Sequence, residues 1–510
     1  LRLEKQMNNM ILLLKQLERQ GVKLALNDKG QLISQSSKEA VTPAIGATIK
    51  AHKDELVRCL AARVAFEAPI EVQGALSGPL SSSQSGLWFI EQYEEASHLY
   101  NMPVYFRVKG ELDTAALEFA FDHLFARHPS MRTRFIKDEA GRGAQEILPH
   151  TPFKLQIEDV SAEPIAEREA YVARRVREEI GRPFSLTQGE LSRVHLIRLG
   201  SREHVLLITQ HHIISDGWSV KNMFADLKRA FLAHQNREPL QVSELPLTYI
   251  DYARWFNSPR FLDYHAEFKP FWVDRLGGSP EVHGLPLDKP RPAHQDSGGE
   301  LVFSTIESDL WESFKRLCQR HSTSNFIGLH ALFALLMVRQ SGEKEVVIGT
   351  PLAYRERHEI ESLVGFFVNT LVLRTQLSGK PSFVDYLQQC REEDLAAFDH
   401  QLYRFEALAE AIGADRTTAI NPIFQIMLVY QAKVDFNDLI PGCQLVEETS
   451  PVLPAKTDIS VKVTELMDSV RVDWLFATAL FERETIQALA DRLLHLMRAV
   501  VAAPETDIWQ

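Results

Sequence analysis

The chain has 510 residues, 45% hydrophobic and 24% charged, which is the composition of a globular protein with a large core and the length of two or three domains. That excludes a disordered tail, a collagen-like fibre and a small disulfide scaffold. The net charge of −12 argues against a general nucleic-acid binder, yet residues 1–63 hold eleven Lys/Arg against six Asp/Glu, so a basic segment at +5 precedes an acidic body at −17. Cys59, Cys318, Cys390 and Cys443 are far apart and lack metal-type spacing, which fits a reducing compartment. The apolar run Ala331–Val338 is far too short for a bilayer span, and Met10–Leu14 is too short for a signal-peptide core. A cytoplasmic location is the expectation.

Met10, Leu13, Leu14 and Leu17 follow i, i+3, i+4, i+7 spacing, one apolar helical stripe, and Gly21 stands where the helix should stop. Val22, Leu24 and Leu26 then alternate with Lys23 and Ala25 as in a half-buried strand. Asn27-Asp28-Lys29-Gly30 has turn chemistry, and Leu32–Ser34 returns as a second strand. Thr42-Pro43 starts a helix whose buried side is Ile45, Ile49, Leu56 and Leu60. Such a helix–hairpin–helix unit has a marginal core and gains stability by dimerising or docking. The unit reads either as a simple N-terminal extension or as an adaptor whose hairpin offers a basic face and an open edge to a partner strand.

Ala68–Ser85 is rich in Pro, Gly and Ser and reads as a linker. Beyond it, strand-like and helix-like stretches alternate. Leu112–Phe125 and Phe326–Val338 read as buried helices, and Val205–Gln210 and Val346–Gly349 as buried strands. Pro239–Pro292, dense in Pro and aromatic residues, is expected to cross between two lobes. The most informative stretch is His211-His212-Ile213-Ile214-Ser215-Asp216-Gly217-Trp218-Ser219. Placed at the end of an apolar strand, the two histidines should leave on opposite faces, one free to point into a tunnel and the other packed inside. A paired-histidine strand end is also a common structural feature.

This stretch resembles the active-site motif of nonribosomal peptide synthetase condensation domains, and the resemblance runs through the whole large module. Seven ordered motifs are recognisable: Ser81–Ile90, Arg127–Phe135, Gln210–Ser219, Tyr249–Trp255, Ile348–Thr370, His400–Ile412 and Asp415–Gln431. Gly86 stands where the family usually has Arg, Pro129 replaces Glu, Tyr354 replaces Asn, and Arg404 stands in the place of Pro. The first 60 residues resemble the TubC-type N-terminal docking domain, a small dimer that receives the C-terminal tail of an upstream peptide or polyketide synthase.

The resemblance implies an α/β (α+β) fold: a helix–hairpin–helix docking domain (1–66), a linker (67–80), and two chloramphenicol-acetyltransferase-like lobes (81–248 and 249–510) meeting in a V. It implies amide-bond formation between two thioesters held on the 4'-phosphopantetheine arms of partner carrier proteins, with no cofactor bound by this chain and no metal. The active-site stretch differs from heterocyclising relatives, which carry Asp in place of the first His, and from epimerases after Asp-Gly. His212 is the candidate catalytic residue, orienting the acceptor amine and managing its proton. An α-amine has a pKa near ~8, so a strong base is not compulsory, and either a base or an electrostatic positioner serves. Gly217 would let the acceptor's arm approach closely. His211, Asp216 and Arg355 support the site, Asp216 pairing with Arg355; a turn-capping Asp before Gly is the local alternative. Trp218, Ser219 and Asn369 are candidate tunnel residues, against core packing for Trp218 and a satisfied loop amide for Asn369. His128 and His400 read as structural.

Lys23 and Lys29 are the candidate docking residues for an acidic partner tail, and the family's docking dimer extends a homodimer to this chain. A downstream adenylation domain completes the partners, and a part of a longer synthetase is the expectation. Neither nucleic acid nor membrane is expected as a partner. Other chemistries lack their signatures: there is no G-x-S-x-G elbow, no Walker loop, and no second His after His358-Glu359. Two alternatives stand: a non-catalytic recruitment platform, and a free acyl-CoA-dependent N-acyltransferase.

Overall fold

The computed structural model describes residues 10–509 except 38–39, 94–97, 295, 414–419, 432–435, 437–438, 451–452 and 467–468; the start of the seventh motif lies outside them. The first helix, Met10–Arg19, buries Met10, Leu13, Leu14 and Leu17 and ends at Gly21, whose φ of +79° is the left-handed conformation that suits glycine. Strands β1 (Leu24–Leu26) and β2 (Leu32–Ser34) form an antiparallel hairpin, with Asn27 Oδ1 accepting from the amides of Lys29 and Gln31 across the turn. Thr42 caps the next helix through Oγ1, with Pro43 in the first position. The single helix expected there is two, Pro43–Ala51 and Lys53–Glu67, because His52 leaves the helical conformation (φ −109°, ψ 22°).

The 67–80 linker is shorter than expected, for the helix runs to Glu67 and β3 (Ser77–Pro79) is already in a sheet, ordered β3-β6-β5 with Thr133–Lys137 (β5) and Gly143–Ile147 (β6). The docking unit is not free-standing either. Phe66 packs among Trp255, Phe261 and Tyr264 at centroid distances of 5.2, 6.1 and 5.0 Å. Arg357 donates to the Phe66 carbonyl (2.6 Å), and Lys15 pairs with Asp399 (2.6 Å). The marginal core expected to gain stability by dimerising or docking packs here against the aromatic-rich helices of the same chain.

The first lobe is built on a five-stranded sheet ordered β14-β4-β9-β8-β7: Cys443–Glu448 (β14), Asn101–Gly110 (β4), Glu203–His211 (β9), Ser192–Arg198 (β8) and Gln156–Asp159 (β7). Leu206 and Ile208 of β9 face the helices Thr114–Arg127 and Gly217–Asn236, while Val205 and Leu207 face the helix Ile165–Gly181. Both faces are therefore covered, which is why the strand reads as an unbroken apolar run. The second lobe carries a six-stranded sheet ordered β10-β16-β15-β13-β11-β12: Gly299–Glu307 (β10), Glu345–Ala353 (β11), Val368–Gln376 (β12), Ile426–Gln431 (β13), Ile459–Glu465 (β15) and Ser469–Ala477 (β16). The helix Asn325–Ser341 is buried continuously from Ile327 to Val338 at the centre of this lobe's core, with Arg483–Ala502 packed beside it.

The division at residue 248 needs correcting in one respect. Strand β14, from the C-terminal half, pairs antiparallel with β4 in the first lobe's sheet, Cys443 opposite Gly110 and Glu448 opposite Tyr105. The chain thus crosses from the second lobe to the first and back again before β15. Three short aromatic-rich helices, Tyr249–Phe256, Pro259–Ala266 and Lys269–Leu276, occupy the segment expected to connect the lobes and form a shared core with the docking unit. Among the described residues no single helix is long and apolar enough to cross a membrane. All four cysteines are buried and free, and no cluster of metal-ligating side chains occurs among the described residues.

Candidate active site at the lobe junction

Only the first of the paired histidines belongs to the strand, and it is the buried one of the two. His211 is the last residue of β9, and His212 opens a 3-10 turn, His212–Ile214, that leads into the helix Gly217–Asn236. The turn is held from both sides: His212 N–H donates to the Tyr100 carbonyl (2.9 Å), and Ile213 N–H donates to His211 Nδ1 (3.1 Å). With Nδ1 of His211 accepting, its proton sits on Nε2, which faces Glu91 Oε1 at 3.4 Å. His211 is wholly buried, and desolvation lowers its pKa despite Glu91.

His212 is only partly exposed. Its Nδ1 lies 2.9 Å from the Ser215 carbonyl. A carbonyl only accepts, so Nδ1 carries the proton and the lone pair is on Nε2. Phe366 meets the ring edge-on at 4.9 Å. Desolvation, and next the positive charge of Lys456, push the imidazole down to about 3, so at neutral pH it is uncharged.

Asp216 caps the following helix, Oδ1 accepting from Ser219 N–H at 2.7 Å. The same oxygen accepts from Arg355 Nη2 at 3.2 Å, and Oδ2 accepts from Phe367 N–H at 2.9 Å. The turn-capping and ion-pair readings of Asp216 thus hold together. Arg355 is itself 9% exposed; its Nη1 donates to the carbonyls of Ile360 and Leu363, and its guanidinium lies 4.0 Å from the centre of the Phe367 ring. Tyr249 closes this side, its hydroxyl donating to the Phe366 carbonyl (2.5 Å) and meeting Ser81 Oγ at 3.0 Å. Only glycine fits at 365, where a Cβ would stand 2.1 Å from the Tyr249 ring.

The three candidate tunnel residues resolve in three different ways. Ser219 is fully buried: its Oγ donates to the Gly365 carbonyl (2.9 Å) and accepts from Gly365 N–H (3.0 Å) and Arg355 Nη2 (2.8 Å), so it ties the loop and lines no opening. Asn369 is a satisfied loop amide, donating to the carbonyls of Gln401 and Tyr403 and accepting from Phe405 N–H. Trp218 is 40% exposed and donates Nε1–H to the Glu361 carbonyl, which is neither core packing nor a buried wall. Gly217 is exposed, and a Cβ there would meet nothing within 4 Å. The close approach argued for it therefore concerns an incoming group, not the chain's own packing.

His128 lies buried against Asp226 (2.8 Å), and His400 stacks on Phe271 at 3.8 Å; neither joins the His212 cluster. Lys23 and Lys29 are exposed on the hairpin. The four departures from the family motifs are accommodated locally. Tyr354 donates to the Leu402 carbonyl, Arg404 N–H donates to His265 Nε2, Pro129 opens a 3-10 turn, and Gly86 has open space. Sequence reasoning missed Tyr100, Phe366 and Lys456. Phe366 lies within a recognised motif and adjoins the glycine that fits under Tyr249; Tyr100 and Lys456 stand outside every motif.

Residues 77–510 match the Condensation domain family and residues 11–61 the TubC N-terminal docking domain family. Malpinin synthetase of Mortierella alpina is 37% identical over 429 residues, covering 84% of this chain and 5% of that protein. A dimodular nonribosomal peptide synthase of Bacillus subtilis is 35% identical over 443 residues, covering 84% of this chain and 18% of that protein. The chain spans only a small part of the curated relatives it matches. Among solved structures, the X-domain from teicoplanin biosynthesis superposes with a TM-score of 0.76 at 26% identity, covering 87% of this chain and 98% of that one. A mixed two-lobed fold with this histidine loop at its junction, preceded by a helix–hairpin–helix unit, places the chain in the condensation-domain family of nonribosomal peptide synthetases, with a TubC-type docking domain at its N-terminal side.

Proposed function

We propose that the chain joins an upstream carrier-bound acyl or peptidyl thioester to a downstream carrier-bound aminoacyl thioester, forming an amide and passing the lengthened product to the acceptor carrier. The observation that carries this reading is His212: an uncharged imidazole, oriented by Ser215, with its Nε2 lone pair available to an N–H donor. The acceptor's α-amine attacks the donor's thioester carbonyl, the thiolate of the donor arm leaves, and the amine's surplus proton is released. Taking a proton from an ammonium of pKa near ~8 onto a base near 3 is uphill by about 7 kcal/mol. His212 therefore acts first as a hydrogen-bond acceptor that aims the neutral amine, and it receives the proton only once attack on the carbonyl has made that N–H far more acidic. Orientation of this kind and its proton management together account for rate factors of about 10²–10⁴.

The phosphopantetheine arms belong to the partner carriers, and Gly217 with Trp218 at the mouth of the histidine loop offers an unobstructed surface for the acceptor arm. Lys23 and Lys29 on the hairpin would receive an acidic tail from the upstream synthase, in the cytoplasm, through screened charge pairs of modest strength. One observation favours a second reading, recruitment without catalysis: the teicoplanin X-domain, a structural neighbour, is also solved in complex with OxyB. Preloaded donor and acceptor carriers, with intact-mass detection of product on the acceptor, separate the two. Product that depends on His212 and falls on deletion of residues 1–66, when the donor bears its natural tail, supports amide formation with docking. Binding of both carriers without product across varied pairs overturns it in favour of recruitment.

A further inference from the structure

The segment that returns from β14 in the first lobe's sheet to β15 in the second carries Lys456 past the histidine loop. Its backbone is fixed on both sides. Ala455 is buried in the second lobe's core and donates N–H to the Ser297 carbonyl (2.9 Å). Asp458 is clamped by Arg291 and by His283 (2.9 Å). Between these anchors the Lys456 side chain reaches the first lobe, its ammonium 4.6 Å from the centre of the Tyr100 ring. Tyr100 is the residue whose carbonyl holds the His212 amide, and its ring lies 6.4 Å from that of His211.

We propose that Lys456 is a positioning residue of the amide-forming centre: its ammonium, delivered across the lobe junction, fixes Tyr100 against the histidine loop and sets a positive charge against protonation of the His212 imidazole. This rests on the amide-forming reading of the site. The cation–π contact locks a ring whose own backbone sets the start of the 3-10 turn, so the charge and the geometry act on one residue. Among the described residues, the titratable groups bearing on His212 are Lys456 and, beside it, His211 with Glu91 behind; Ser215 and Phe366 contribute a carbonyl and an apolar edge. The Lys456 charge depresses both histidines, second to desolvation in the case of His212. Burial lowers its own pKa to about 8, so the device has its own alkaline limit.

The test uses the full chain with Lys456→Met, Lys456→Gln and Lys456→Arg. Two readouts are needed: product formation on the acceptor carrier against pH, and the imidazole pKa of His212 from deuterium exchange at its C2 position, which requires no turnover. Removing the charge in the Met and Gln variants is expected to raise the His212 pKa and to lower kcat about tenfold with little change in KM for either carrier. Wild-type kcat should fall as pH rises through about 8, where Lys456 loses its proton, and Lys456→Arg should move that fall upward while keeping most of the rate. An unchanged His212 pKa in both neutral variants overturns the proposal whether or not product forms. A wild-type chain that makes no product refutes the amide-forming reading alone, because a raised His212 pKa in the variants still upholds the charge effect.

Discussion

Replacing Asp216 by alanine isolates what holds the histidine loop from what it does. The carboxylate is 1% exposed and serves three donors: Ser219 N–H, Arg355 Nη2 and Phe367 N–H. Truncation leaves the buried Arg355 guanidinium without its anion, the Phe367 amide without an acceptor and the helix Gly217–Asn236 without a cap. Breaking a buried pair by removing one partner costs about 3–5 kcal/mol, an orphaned amide about 1–3, and a lost cap about 1. The three share one carboxylate and do not add, so about 4 kcal/mol is the expected loss, confined to the contact between residues 212–219 and 355–367. Peptide-resolved hydrogen exchange reads this directly. A drop of about 4 kcal/mol in local opening speeds exchange of the 363–368 amides by nearly a thousandfold, while the distant strands β10 and β16 keep their protection. Arg355→Met should damage the same segment. The double variant should be less damaged than the two losses together, with a coupling of about 2 kcal/mol. Exchange at 363–368 within threefold of wild type in Asp216→Ala, or strict additivity of the pair, refutes this account.

Three further outcomes are expected. Burial pushes the Glu179 carboxyl up, but His195 and Arg193 outweigh it and hold it down to about 2, so its stabilisation is complete above the unfolded value of 4.5 and vanishes as pH falls through about 2. Glu179→Gln should therefore cost roughly 3 kcal/mol in urea unfolding at pH 7, and the gap to wild type should close near pH 2. Gly217→Ala should leave Tm unchanged or slightly raised, since the new Cβ meets nothing and alanine favours the helix by about 0.5–1 kcal/mol. Product formation should nonetheless fall if the acceptor arm passes there, and wild-type turnover by Gly217→Leu would remove Gly217 from the arm's path. Phe66→Ala should lose about 3–5 kcal/mol of packing at the docking-unit contact and expose residues 60–76 to proteolysis, whereas Asp399→Ala, which removes a partly exposed pair with Lys15, should change stability by less than about 1 kcal/mol.

Local periodicity made much of the fold legible. The Met10–Leu17 stripe, the Asn27–Gly30 turn and the Thr42-Pro43 helix start each specify their element through residues within a few positions of one another. What escaped depends on distance along the chain. Nothing near Cys443 announces that β14 will pair with β4, more than three hundred residues earlier, and the Pro/Gly/Ser composition of 68–85 hid a three-residue strand because β3 exists only through its pairing with β6. The break at His52 is the opposite case. Both halves have helical spacing, and the small change of backbone angle that parts them leaves no signature in apolar pattern.

At the site the same distinction decides what each residue type could reveal. His212, Asp216 and Gly217 lie within one short stretch, and their chemistry is unusual enough to be noticed together; Arg355 is legible through a motif rather than through any property of its neighbours. Ser219 was placed in the tunnel and Asn369 left between two readings because a polar side chain in a recognised motif can face a ligand or satisfy the backbone, and the choice is set by carbonyls and amides of other segments, Gly365 for one and Gln401, Tyr403 and Phe405 for the other. Lys456 shows the limit most sharply. A lysine just before a strand is ordinary in sequence, and its meaning comes from β14 belonging to one lobe and β15 to the other. That crossover obliges the segment between them to pass the lobe junction, so a cation placed there is carried to the histidine loop by topology. A change in the packing of the two lobes would then move the charge relative to His212, which makes the lobe arrangement itself a variable in the chemistry of the imidazole.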